Sequence, residues 1–184
     1  MKLVYGTIIL GLALTACSSS SKKYETASTP PVSREAKQLA AEEKAPYVAE
    51  LAFKKGSSNL SSDAKASLNR LITKAQAAGK IDQVKVVTWG DSEYPSTDTK
   101  KLSKAEVDLV KKRNSNIEKY IESETRSSVK TISMAERPGA ISEFIGTSDA
   151  KVKKSLEQAG IPTTDSSSKT PSKSSRSIVI ISLE

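Results

Sequence analysis

Ile81-Asp82-Gln83-Val84-Lys85-Val86-Val87-Thr88-Trp89-Gly90-Asp91 is dense in β-branched residues and stops at a glycine followed by an acidic turn former. Such side chains pack well on a pleated surface, so residues 81–89 are predicted as a strand buried on at least one face. Helical periods flank it on both sides. Upstream, Ala64, Leu68, Leu71, Ile72 and Ala75 recur every 3.6 residues behind Ser61 or Ser62 as N-cap, with Gly79 closing the helix. Downstream, Val107, Val110, Ile117 and Ile121 share one side of a second helix, interrupted by polar Asn114. That helix starts no later than Asp108, or at Ser103, where Ser103 and Glu106 have capping-box spacing.

Working outward, Val48, Leu51 and Phe53 read as a first strand ending at Gly56-Ser57-Ser58, and residues 129–134 as a third strand. After Pro138-Gly139 comes an excursion with a short helix over 149–158, capped by Ser148 and ended by Gly160. Residues 163–176 are Ser/Thr/Lys-rich and read as a mobile loop, and 177–183 as the closing strand. The order β-α-β-α-β-β predicts an α+β sandwich, two main helices packed on one mixed sheet. Residues 17–47 are expected to be a flexible tether without a core, because Ser18 to Lys23 is polar, Pro30-Pro31 breaks structure and 33–44 offers only a weak Ala/Glu/Lys helix. The folded domain is therefore expected to be 48–184, with 1–16 as a signal peptide.

Composition removes several chemistries. The 184 residues contain no histidine and one cysteine, Cys17. Serine or cysteine catalysis through an imidazole base is excluded, as is a His/Cys metal site, and no cofactor is expected. A hydrolase using Ser/Lys or paired carboxylates such as Asp91 and Glu93 lacks a nucleophile motif and an oxyanion loop, so a non-enzymatic role is favoured. The net charge is +8, and +7 once Lys2 leaves with the signal, a basic surface suited to acidic envelope partners. A secreted location makes nucleic acid an unsuitable target, and two Phe and one Trp leave few stacking platforms for sugars or bases.

The N-terminus has a basic start at Lys2, an apolar run over 3–14 and a small-residue exit, the build of a secretory signal peptide. The run is too short for the roughly 20 residues that cross a bilayer as a helix. Leu14-Thr15-Ala16-Cys17 resembles the bacterial lipobox, which implies cleavage before Cys17 and its modification by acyl chains such as palmitate. Two or more chains give stable anchoring to membrane lipid, and Ser18 rather than aspartate after the cysteine implies the outer membrane.

Phe53 with Ser57-Ser58-Asn59-Leu60, the run from Val86 to Ser92, the helix from Leu109 to Ile121 and Ser175-Arg176-Ser177-Ile178, taken in order, resemble the OmpA-like family, of the peptidoglycan-associated lipoprotein type. Phe53 with Ser57-Ser58-Asn59-Leu60 is similar to that family's first strand and approach to the first helix. Val86-Val87-Thr88-Trp89-Gly90-Asp91-Ser92 is similar to its valine-rich strand ending in Gly-His-Thr-Asp-Ser. Leu109-Val110-Lys111-Lys112-Arg113-Asn114, with Ile117, Tyr120 and Ile121, keeps the spacing of Leu-Ser-x-x-Arg-Ala-x-x-Val-x-x-Tyr-Leu, and Ser175-Arg176-Ser177-Ile178 is similar to the start of the closing strand. A second register through Leu102-Ser103 would put Glu106 at the arginine position and lose Ile117 and Tyr120.

The resemblance implies a protein that tethers the outer membrane to peptidoglycan by binding the diaminopimelate of the stem peptide. Asp91 would take the ammonium and Arg113 the carboxylate, through charge-assisted hydrogen bonds. Lys54 and Glu106 depart from the family pattern, where an acidic residue and an asparagine are usual. The alternative is an assembly or interaction lipoprotein with envelope protein partners. Without the resemblance, Asp91-Ser92 is ordinary turn chemistry, and Arg113 belongs to a solvated basic face with Lys111 and Lys112. If Cys17 carries the lipid, metabolic labelling with a fatty-acid analogue will mark the wild type and leave Cys17→Ser unmarked.

Overall fold

The computed structural model describes residues 32–95, 98–137, 150–153 and 175–184. The signal peptide, Cys17, the start of the expected tether and nearly all of the expected mobile loop lie outside them.

Strands β1 (Tyr47–Ala52), β2 (Ile81–Thr88), β3 (Val129–Ser133) and β4 (Arg176–Leu183) form one mixed sheet in the order β1-β4-β2-β3. The closing strand lies between β1 and β2, antiparallel to both, while β2 and β3 run parallel. The α+β architecture is the one expected, with α2 (Ser62–Ala78) and α3 (Lys104–Thr125) covering one face.

Alternation assigns the strand residues to two cores. Ala49, Leu51, Val84, Val86, Val179 and Ile181 point at α2 and α3, meeting Leu68, Leu71, Ile72, Ala75, Ile117 and Ile121. A register shift between Ile81 and Gln83 brings Ile81 to the same face as Val84, which strict alternation would not. Both helices begin at the serines the sequence offers: Ser61 Oγ accepts from the Ala64 amide at 3.1 Å, and Ser103 Oγ from the Glu106 amide at 3.3 Å.

The opposite face is also covered, and here the expected tether is corrected. Residues 34–42 form α1 (Arg34–Glu42), which packs Ala36, Leu39 and Ala40 against Val48, Val87, Ile132, Ile178 and Ile180. The compact unit thus includes residues 32–47 and does not start at Val48, since Val32 and Ala45 are buried with them. Propensity alone is weak over this stretch, but β4 is buried on both faces and needs a second layer. Polar ties fix the helix: the Ser33 amide and hydroxyl donate to Glu50 at 2.6 and 2.8 Å, and Lys85 pairs with Glu43. Of the inserted helix, residues 150–153 are described and helical, with Val152 in this second core.

Truncating Leu39, which is 1% exposed, leaves a cavity under the sheet. Leu39→Ala is expected to cost about 2–5 kcal/mol of unfolding free energy in urea titration, against less than about 0.5 for exposed Lys37→Ala. Equal values for the two would show that α1 does not contribute to the fold.

Candidate functional site

Three chain segments converge beyond the ends of β1 and β2: the loop after β1, the turn after β2 and the residues leading into β4. Asp91 and Arg113 meet there, 22 residues apart in sequence, with Arg113 Nη2 2.5 Å from Asp91 Oδ1. The structure brings the two expected site residues together and points them at each other. The Arg113 side chain is 0% exposed and that of Asp91 5%, so Arg113 is not part of a solvated basic face.

A guanidinium out of water must satisfy its donors within the protein. Arg113 Nε donates to the Ser57 carbonyl at 2.9 Å, Nη1 to the Trp89 carbonyl at 3.0 Å and Nη2 to the Lys54 carbonyl at 3.4 Å. Its plane also lies 4.7 Å from the Phe53 ring centre. Asp91 is equally engaged: Oδ1 accepts from the Ser175 hydroxyl at 2.6 Å, and Oδ2 from the Gly56 amide. Burial pushes the Asp91 carboxyl up, but the hydrogen bonds from Ser175, Gly56 and Arg113, with the Arg113 charge, outweigh it and hold the group below the ordinary value of 3.8.

Sequence reasoning missed the supporting residues. Glu106 was visible as a capping-box partner and a departure from the family pattern. Its carboxylate instead accepts from the Asp91 amide at 2.7 Å and the Ser92 hydroxyl at 2.9 Å, shaping the turn that presents Asp91. Gly90 leaves room beside it: a Cβ there would lie 2.1 Å from Glu106 Oε2, so a larger residue would displace that carboxylate. Gly56 has φ +72, a left-handed conformation that lets its amide face Asp91. Lys54 contributes its carbonyl while its side chain is exposed. Arg176 stacks 4.8 Å from the centre of Trp89 and donates to Glu50 at 2.9 Å, on the α1 side of the sheet.

Among the described residues, no group of three or more His, Cys, Asp or Glu is placed to hold a metal, and no helix is long and apolar enough to cross a membrane. No family model matches the chain, and no curated protein matches it.

The closed pair predicts a pH signature. Because the folded-state acidity of Asp91 is shifted below 3.8, its contribution is fully present above that value and is lost as pH falls through the folded one. Thermal melts from neutral pH to about pH 2 should show a smaller acid-side loss for Asp91→Asn than for wild type. At neutral pH, Asp91→Ala should cost about 3–5 kcal/mol by leaving Arg113 buried without a counter-charge. Identical acid profiles would remove Asp91 as the titrating group.

Proposed function

We propose that this chain is a lipid-anchored outer-membrane protein whose OmpA-like domain, facing the periplasm, is a non-enzymatic assembly or interaction module for envelope protein partners. In this reading the Asp91–Arg113 pair locks three loops together. The observation that carries it is the absence of exposed surface on the Arg113 side chain, with Asp91 accepting from three protein groups. A zwitterionic stem-peptide end needs an accessible carboxylate for its ammonium and an accessible guanidinium for its carboxylate. Here each charge is neutralised by the other, and a ligand would have to break a buried pair whose disruption is costly.

The anchor rests on Leu14-Thr15-Ala16-Cys17, and the OmpA-like reading on the four motif pieces together with the β-α-β-α-β-β order following α1. With α1 docked on the sheet, residues 18–31 separate the lipidated cysteine from the compact unit, a reach of at most about 50 Å. That range suits partners close to the membrane.

One observation favours a second reading, in which the protein binds peptidoglycan through diaminopimelate and tethers the outer membrane to the cell wall. Asp91 and Arg113 do converge on one point, and the Gly56 amide and Ser175 hydroxyl on Asp91 are groups that a ligand ammonium would replace. Sedimentation of full-length Cys17→Ser protein with purified sacculi separates the two. The interaction reading expects no pelleting above a non-binding control. Pelleting that is lost in Asp91→Ala and Arg113→Ala, both shown to be folded, but kept in Lys112→Ala would install the tether instead.

A further inference from the structure

A second feature lies one to two helical turns further along α3, on the side of α2. Asn59, Leu60, Lys65, Asn116, Lys119 and Tyr120 line an open groove of about 440 Å³, within the roughly 300–1,000 Å³ of small-ligand clefts. Its walls are fixed. Asn116 Nδ2 donates to the Ser58 carbonyl at 2.9 Å, and the Tyr120 hydroxyl donates to Asn69 at 2.8 Å. Lys65 Nζ sits 5.7 Å from the centre of the Tyr120 ring.

Apart from the Tyr120 ring beneath Lys65, the lysines of this groove face solvent. Lys65 and Lys119 are exposed, and neither forms an ion pair with a described residue. With its amide nitrogen committed to Ser58, Asn116 keeps a carbonyl oxygen that can accept, and Asn59 adds a second amide. Leu60 and the Tyr120 ring supply the apolar surface between them.

We propose that this groove binds a short acidic peptide segment of a partner protein, two carboxylates flanking an apolar side chain. The lysines take the carboxylates, the asparagines hydrogen-bond the peptide backbone, and Leu60 with Tyr120 receives the middle side chain. A lone phosphate would leave the amides and the apolar wall without a partner. The proposal deepens the interaction-module reading and rests on it. Its site shares no side chain with the Asp91–Arg113 pair.

The test is fluorescence anisotropy of fluorescein-labelled Glu-Leu-Glu with full-length Cys17→Ser protein. Expected is saturable binding that weakens as salt rises and falls about tenfold in the Lys65→Gln/Lys119→Gln double variant, while exposed Lys112→Gln and the labelled Gln-Leu-Gln peptide serve as controls. Lack of saturation, equal weakening by Lys112→Gln, or equal binding of Gln-Leu-Gln overturns the site. Displacement of the peptide by inorganic phosphate or phosphatidylglycerol vesicles beyond the loss that sodium chloride causes at the same ionic strength overturns it too, by showing a general anion surface. Sacculus pelleting that depends on Asp91 and Arg113 would instead displace the interaction-module reading, so the two failures are read in different assays.

Discussion

A guanidinium with no access to water constrains the end of the sheet where the loop after β1, the turn after β2 and the entry to β4 meet. Moving a charge out of water carries a penalty of several kcal/mol unless it is paired and its donors are filled. Arg113 meets that requirement with one carboxylate and three carbonyls, drawn from the loop after β1 and the turn after β2. Asp91 in turn reaches across to Ser175, where the chain enters β4. Phe53 and Trp89 root two of these segments in the cores on opposite faces of the sheet, and the polar pair joins the turns beyond them. The pair adds to the backbone bonds from Phe53 and Ser175 that already link these segments, and its own partners follow: Glu106 holds the Asp91 amide, and Gly90 leaves the space that Glu106 occupies.

Much of the fold is legible because its signals are local. The valines of β2, the 3.6-residue stripes of α2 and α3 and the capping serines are each contained within one element. The third layer was harder to read, since α1 has little intrinsic strength and its stabilisation comes from the sheet beneath it. The clue was in β4: Ile178, Val179, Ile180 and Ile181 are consecutive and apolar, and a strand with such a run must be covered on both faces. Ser33 as N-cap and the spacing of Ala36, Leu39 and Ala40 then supply the helix that fits. Asn114, which broke the α3 stripe, is buried all the same, at 7% exposure.

The site was legible as a set of residues and illegible as a geometry. The family resemblance paired Asp91 with Arg113, and the two do meet in space, but a motif match carries no information on whether two opposite charges face a ligand or each other. That depends on burial, and burial here is supplied by segments far away in sequence, Ser57 at one end and Ser175 at the other. Glu106 shows the same limit. Its position three residues after Ser103 is that of a capping box, yet the carboxylate is used by the β2–α3 turn, because a turn amide with no other partner competes for it.

A closed ion pair also changes which charges the surroundings feel. Opposite charges 2.5 Å apart in the interior nearly cancel at a distance, so neither steers a partner. The net +8 is expressed instead by exposed lysines, whose attraction for acidic groups acts over a Debye length of about 8–10 Å. On α3 the two regimes are adjacent. Arg113 immobilises the Ser57 carbonyl, Asn116 binds the next one, Ser58, and Asn59 after that already lines the groove between α2 and α3. The buried pair therefore helps hold the loop that brings Asn59 to the groove, and a change at Arg113 would reach Asn59 through two consecutive peptide units rather than through the electrostatic field.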